Sequence, residues 1–289
     1  MELNDIQKHL EKVMHEQNNR SIPEFEGYSP MDMHQILHNT LGNDSPIQLQ
    51  KLSDADYEKI PLLNQVKYLT DLIDKNGAIK LTNRGYLPTK VVSDLYQQGF
   101  LKDEHIEDGF YKIYKEADSM SVNLTHILVD LARLIKKRNG KISLTKKSRE
   151  ILKDNHKLLQ LVFSTFATKF NWAYYDGYDE DQIGQLGWGF TLILLSKYGH
   201  KKRLNSFYAE RYFKAFPQLL VSLETTYSTL ERYATRCYST RIFDRFLDYF
   251  GVIEIDKKRK GLDSETYITK TDLFDKLIGC TPPRRAGNR

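Results

Sequence analysis

Cysteine is nearly missing: Cys237 and Cys280 are the two in the chain, and no C-x-x-C spacing joins them. A zinc knuckle and a disulfide framework are thereby excluded, and both residues are expected as reduced thiols. No apolar run approaches the roughly 18–20 residues that span a bilayer. The opening MELNDIQKHLEKV has neither the basic n-region nor the apolar h-region of a signal peptide. No membrane partner is expected, and the expected location is cytoplasmic. Also missing are a phosphate-cradling glycine loop, a G-x-S-x-G elbow, a recognisable Cys–His pairing and a dinucleotide fingerprint. An enzymatic activity therefore has the least support; no catalytic residue is named and no cofactor is expected. Tryptophan is held to Trp172 and Trp188, while tyrosine is frequent at 18 residues. A ring that buries while its hydroxyl stays wet suits half-buried helix faces, with core packing the expected use.

What remains is a globular composition. Hydrophobic content of 40% and charged content of 28% exclude disorder as the main state. At 289 residues the chain has room for two or three modest cores. A net charge of +5 favours anionic partners without requiring them.

Two stretches echo one another. Leu72–Leu87 reads LIDKNGAIKLTNRGYL and Ile135–Leu152 reads IKKRNGKISLTKKSREIL, with Gly77 and Gly140, Ile79 and Ile142, Leu81 and Leu144, and Thr82 and Thr145 in register. Each joins a helix end to an Asn-Gly turn, an alternating strand and a Thr placed to cap the next helix, the core of a winged-helix unit. A looser third copy runs from helix Ser239–Tyr249 through strand Val252–Ile255 and a charged hairpin to strand Thr266–Ile268. The apolar spacing of Leu124, Ile127, Leu128, Leu131, Leu134 and Ile135 predicts a helix over Asn123–Lys137. Between the second and third copies the pattern predicts helices His156–Lys169, Gln182–Tyr198, Leu204–Phe216 and Leu219–Tyr233.

The expected fold is mainly α, with tandem winged-helix-like units, small β-hairpins and an inserted helical bundle. The expected division is an N-terminal helical segment (1–58), a first unit (59–102), a second unit (103–154), the bundle (155–235), a third unit (236–278) and a flexible tail (279–289). In the first segment Leu3, Ile6, Leu10, Val13 and Met14 form an apolar stripe on an otherwise charged helix, fitted to a neighbour or a partner.

IPEFEGYSPMDMHQILHNTL, GAIKLTNRGYLPTKVVSDLY and NLTHILVDLARLIKKRNGKISLTKKSREIL together resemble an uncharacterised bacterial family of tandem winged-helix-like proteins. Some members look to be fused to a cysteine-rich zinc motif or a plasmid-encoded module. The resemblance covers roughly residues 22–165 and rests on pattern more than on rare residues. It implies the fold and carries over no catalytic residue; this chain lacks the cysteine-rich motif.

Wing-like units point to nucleic acid, DNA above all. The helix before the wing would enter the major groove and basic wing residues would meet phosphates. The candidates are Arg133, Lys136, Lys137, Arg138, Lys141, Lys146, Lys147 and Arg149 in the second unit, and Lys257, Lys258, Arg259 and Lys260 in the third. A further cluster, Lys201, Lys202 and Arg203, follows Gly199. Against this, Asp130 lies on the helix of the second unit and Asp244 and Asp248 on that of the third, where phosphate would repel them. The alternative is a protein-binding adaptor or scaffold, or a homo-oligomer, acting through the wing-like units and the Tyr-rich middle; the acidic residues on these helices and the amphipathic start motivate it.

Two other patterns are explained more simply by structure. His34 and His38 share a helix face at i, i+4, but no Glu follows His34 and no third ligand can be named, so no metal is expected. The acidic, aromatic run Asn171–Asp181 lacks the ligand order of a calcium loop. Its carboxylates suit the dipole of the helix expected from Gln182.

Overall fold

The computed structural model describes residues 3–109, 112–221, 223, 225, 228–260 and 263–283. The chain begins with α1 (Leu3–Asn19), α2 (Pro30–His38), β1 (Ile47–Leu49), α3 (Asp54–Tyr57), α4 (Pro61–Lys75), β2 (Ile79–Lys80), α5 (Thr89–Gln97) and α6 (Glu104–Glu107). It continues with α7 (Met120–Leu131), β3 (Ile135–Arg138), β4 (Lys141–Leu144), α8 (Lys146–Ile151), α9 (Asn155–Thr168), α10 (Trp188–Tyr198) and β5 (Arg203–Leu204). It closes with α11 (Asn205–Ala215), α12 (Leu230–Ser239), β6 (Ile253–Lys260), β7 (Asp263–Lys270), α13 (Asp272–Leu277) and β8 (Ile278–Cys280). The fold is mainly helical with small antiparallel sheets. Among the described residues no helix is long and apolar enough to cross a membrane.

The chain divides into two compact units, named here by sequence position. The central unit takes Lys51–Gly177 and Asp244–Val252; the terminal unit takes Met1–Gln50, Tyr178–Phe243 and Ile253–Arg289.

In the central unit, α4 buries Leu62, Leu63, Val66, Leu69 and Ile73 along one stripe and stops at Gly77, whose φ of +69° an L side chain would strain. Ser119 caps α7 and Thr145 caps α8, each hydroxyl accepting an N–H three residues on, worth about 1 kcal/mol apiece. Asn139 and Gly140, at φ 50° and 67°, make the two-residue turn joining β3 to β4, both in the left-handed region that such a hairpin requires.

The two echoes do not build two sheets. Ile79 of the first lies opposite Ile142 of the second, and the strand order is β2-β4-β3. The expected boundary between 102 and 103 therefore gives way to one unit. Two-residue β2 cannot close a sheet alone, and the echo supplies the matching edge. The helix expected over Asn123–Lys137 ends at Leu131: Arg133 takes φ 57° and turns the chain, and residues 135–138 pair with β4 instead. A short apolar run followed by cations fits helix and strand periods alike.

The core below this sheet is aromatic. Phe163 and Phe166 of α9 meet Trp172, Phe246 and Phe250, with ring centroids 4.5 Å apart for Phe163–Phe250 and 4.6 Å for Trp172–Phe246. Each such ring contributes roughly 1.5–3 kcal/mol by burial. The Trp172 indole N–H donates to the Phe166 carbonyl at 2.8 Å. The run Asn171–Asp181 thus enters the core at Trp172, while Asp176 pairs with Arg245 at 3.2 Å.

The terminal unit repeats the order. Helix α10, strand β5, helices α11 and α12 and hairpin β6–β7 follow one another as α4, β2, α5, α7 and β3–β4 do, with one-turn α6 as an addition in the central unit, and the strand order β5-β7-β6 again places the third strand in the middle. The expected inserted bundle is accordingly divided: α9 belongs to the central unit, whereas α10, α11 and α12 are helices of this second copy. The signal missed was β5, two residues long, which pairs Arg203 with Ile268 and Leu204 with Tyr267.

Other boundaries shift for local reasons. The helix expected from Gln182 begins at Trp188, because the preceding turns are held by side chains. Buried Arg241 donates to the carbonyls of Glu180 and Ile183 at 2.7 and 3.1 Å, and the Tyr212 hydroxyl donates to the Leu186 carbonyl at 2.6 Å. The dipole account of Asp179–Asp181 falls with that start. Pro217 opens a 3-10 turn over Pro217–Leu220, and α12 starts at Leu230 under a Thr229 cap. The expected helix Ser239–Tyr249 is α-helical only at its start; Thr240–Leu247 is π-helical and Asp248–Phe250 a 3-10 turn. Strands β6 and β7 run further than expected, paired from Ile253–Lys270 to Lys260–Asp263. The ends of the chain join in a separate ladder, Ile47 opposite Cys280 and Leu49 opposite Ile278, so residues 279–280 are strand rather than tail. Residues 284–289 of the expected tail lie outside the described residues.

Candidate nucleic-acid interface

Strand alternation sorts the central sheet into two faces. Ile79, Ile135, Ile142 and Leu144 are buried on the inner face. Lys80, Lys136, Arg138 and Lys141 are exposed on the outer face, with half-buried Ser143 between them. Register places three of the cations in one row, since Lys80 lies opposite Lys141 and Lys141 opposite Arg138. The strands place no carboxylate on that face. Directly opposed like charges repel, at a cost of about 0.2–1 kcal/mol per pair. Lysines on an exposed edge strand guard against edge-to-edge pairing, which accounts for β3. It does not account for Lys141, which stands on the middle strand.

The flanks add charge. Lys137 is exposed at the sheet edge, and its Nζ would stand 3.0 Å from a Cβ placed on Gly85, a residue held at φ +84° in the loop after β2. That loop borders a cleft of about 320 Å³ with Arg84 and Lys115 on its rim. Arg133 is exposed in the turn before β3, and its carbonyl accepts from the Thr145 hydroxyl at 3.2 Å. Lys146 and Lys147 are exposed in the first turn of α8. Arg149, from the same helix, is drawn to Asp74 of α4 in an exposed ion pair.

Helix α7 does not supply a groove-reading surface. Its residues Ser121–Thr125, Leu128 and Val129 are buried, it contains no Lys or Arg, and Asp130 is exposed. The helix expected to enter the major groove thus keeps most of its length inside its own unit, and the side it leaves open, His126, Ile127, Asp130 and Leu131, carries no Lys or Arg. Beneath it lies a polar cluster in which fully buried Glu116 accepts from the Leu87 N–H and from Asn123 Nδ2 at 2.7 Å, with His126 Nδ1 2.9 Å away. Asp103 accepts from the hydroxyls of Ser119 and Ser121, yet burial raises its carboxyl above the usual range.

The hairpin of the terminal unit carries the other candidates, and its outer face is mixed. Glu254, Asp256 and Lys258 of β6 share a face with Glu265 and Tyr267 of β7, with Lys258 opposite Glu265 and Asp256 ion-paired to Lys202. Lys258 also lies over the Tyr267 ring, 5.6 Å from its centroid. Lys257 falls on the opposite face, in line with Ile253 and Ile255. Arg259 and Lys260 are in the strand, but their side chains lie outside the described residues.

His34 and His38 are exposed on α2 with ring centroids 4.7 Å apart. Among the described residues no group of three or more His, Cys, Asp or Glu is placed to hold a metal. Burial pushes the Cys280 thiol up to about 11.

Lys80 and Arg84 escaped the sequence reading. The signal was there: Ala78–Leu81 alternates in phase with Lys141–Leu144, so Lys80 had to share a face with its counterpart.

Residues 58–157 match a family model described as the Y4jL N-terminal domain. That span contains the whole of the central copy, from α4 to β4. No curated protein and no solved structure matches the chain.

Proposed function

We propose that the protein is a non-enzymatic nucleic-acid-binding factor, a regulator or accessory protein for which DNA is the expected partner. The helix–strand–helix–helix–hairpin order of each unit is that of a winged helix, and both copies belong to that class on this reading. Phosphate contact falls to the outer face of the central sheet, with Lys146, Lys147 and Arg133 beside it. The single observation that supports this is the row Lys80–Lys141–Arg138, which runs across all three strands with no carboxylate on its face. A row of phosphates relieves the repulsion that the row carries alone. Because α7 offers no basic surface, binding is led by the wing and reads backbone rather than bases.

The test is fluorescence anisotropy of a labelled duplex across a salt series. Four phosphate contacts give a slope of log K against log salt of about −3.6. A slope near zero, or unchanged affinity on reversing Lys141 and Arg138 to Glu, defeats the proposal. The absorbance ratio at 260 and 280 nm before and after a high-salt wash gives an early answer.

One observation favours a second function, a protein adaptor or homo-oligomer. Helix α1 exposes Ile6, Leu10 and Met14 at 42, 55 and 61% along one stripe. Sedimentation of the native chain and of Leu10→Glu tests it: a mass above the monomer that falls in the variant supports it, and a monomer in both removes it.

A further inference from the structure

In the terminal unit, helix α12 holds the place before its hairpin that α7 holds before β3–β4. Its residues sort by side. Ala234, Cys237 and Tyr238 are buried against the unit. Glu231 and Thr235 line an open cleft shared with α11, and the Tyr233 hydroxyl accepts from the Asp179 N–H at 3.2 Å. The outward side is left to Arg232 and Arg236, both exposed and one helical turn apart.

The contrast with α7 is chemical as well as spatial. Helix α7 contains no Lys or Arg, whereas the open side of α12 is two arginines. Neither has an acidic residue three or four positions away on its own helix, while Lys214 of α11 has Glu210 in that place, 3.0 Å away. Like charges at i, i+4 repel, so helix stability does not account for the pair. A major groove about 12 Å wide admits a helix, and a planar guanidinium there meets O6 and N7 of guanine through two parallel N–H donors. Four residues rise about 6 Å along a helix, close to two base-pair steps of about 3.4 Å.

We infer that α12 is the base-reading helix of the protein, lying in the major groove of duplex DNA with Arg232 and Arg236 each forked onto a guanine, the guanines about two base pairs apart. This rests on the duplex binding proposed above and divides the work. The cationic face of the central sheet contacts phosphates, and α12 supplies the sequence preference that the central copy lacks.

Selection by the full chain from a pool of random-sequence duplexes, followed by anisotropy on the enriched duplex and a scrambled one, tests this. The wild type is expected to enrich closely spaced guanines and to bind the enriched duplex about tenfold or more tightly than the scrambled one. Arg232→Lys with Arg236→Lys keeps both charges and loses both forks. In that variant the two duplexes become equal, while affinity for the scrambled duplex and its salt slope stay as they were. Lys141→Glu with Arg138→Glu weakens both duplexes and keeps their ratio. A wild type that binds duplexes with a salt slope but enriches no sequence, or a double lysine variant that keeps the preference, overturns the inference and leaves the phosphate contact standing. Absence of salt-dependent binding to any duplex overturns both.

Discussion

The two sheets have the same strand order and different surface chemistry, one cationic and the other mixed. On the central sheet the outer face is Lys80, Lys136, Arg138, Lys141 and Ser143; on the terminal hairpin it mixes Glu254, Asp256 and Glu265 with Lys258. Inner faces are constrained by burial, and both are built on isoleucines: Ile79, Ile135 and Ile142 in one, Ile253 and Ile268 in the other. Outer faces meet water, so topology leaves their charge free. Where cross-strand pairs join opposite signs, the sheet satisfies itself. Where they join like signs, the repulsion stays unrelieved within the sheet, and the proposed phosphate contact rests on that.

The strongest way to break this comparison is to reverse it. Lys141→Glu with Arg138→Glu is expected to weaken duplex binding by about 100-fold at fixed salt, while Lys258→Glu changes it less than about twofold. Anisotropy on the same labelled duplex measures both, and equal losses would make the comparison empty.

Next in size is a difference between the cores. The central unit stacks phenylalanines, whereas the terminal unit buries tyrosine hydroxyls that hold backbone: the Tyr212 hydroxyl accepts from the Gly184 N–H at 3.1 Å and donates to the Leu186 carbonyl. Tyr212→Phe leaves both groups unmet and is expected to cost about 1–3 kcal/mol by chemical denaturation. A neutral outcome would mean that water replaces the hydroxyl.

Smaller is the converse graft. Asp256→Asn with Glu265→Gln strips two carboxylates from the terminal hairpin face and is expected to raise duplex affinity by about two- to fivefold, read from the same titration. No gain would show that charge at this hairpin is irrelevant to binding.

The least effect concerns Asp103. Its raised pKa means that the folded state holds the proton to higher pH than the unfolded chain. Stability therefore falls as pH climbs from 3.8 through the raised value and is level above it. Asp103→Asn removes that slope, which denaturant midpoints at a series of pH values would reveal. A slope that survives in the variant assigns it to another group.

Much of the central copy was visible in the chain. Asn139-Gly140 announces a hairpin, Thr145 announces a cap, and alternation from Ile142 to Leu144 announces a strand. Pairing was not visible. An echo such as Ala78–Leu81 against Lys141–Leu144 looks the same whether its members lie in separate sheets or side by side, because local period carries no partner information. The second copy was hidden more deeply. Arg203–Leu204 is too short to alternate, and Thr240–Leu247 has the composition of an ordinary helix while its backbone is π-helical. Of the candidate site, the β3–β4 cations were legible from their place around an Asn-Gly hairpin; the burial of α7 and the carboxylates facing Lys258 were not.

The chain by itself determined the turns, the caps and the amphipathic stripes, since these depend on residues within one helical turn or one strand step. Tertiary structure alone decided which strands share a sheet, and hence that Lys80, Lys141 and Arg138 stand in one row. The reason is distance along the chain. Cross-strand neighbours separated by 61 positions, as Lys80 and Lys141 are, come together only when the helices between them pack, and charge gathered in that way has no local signature.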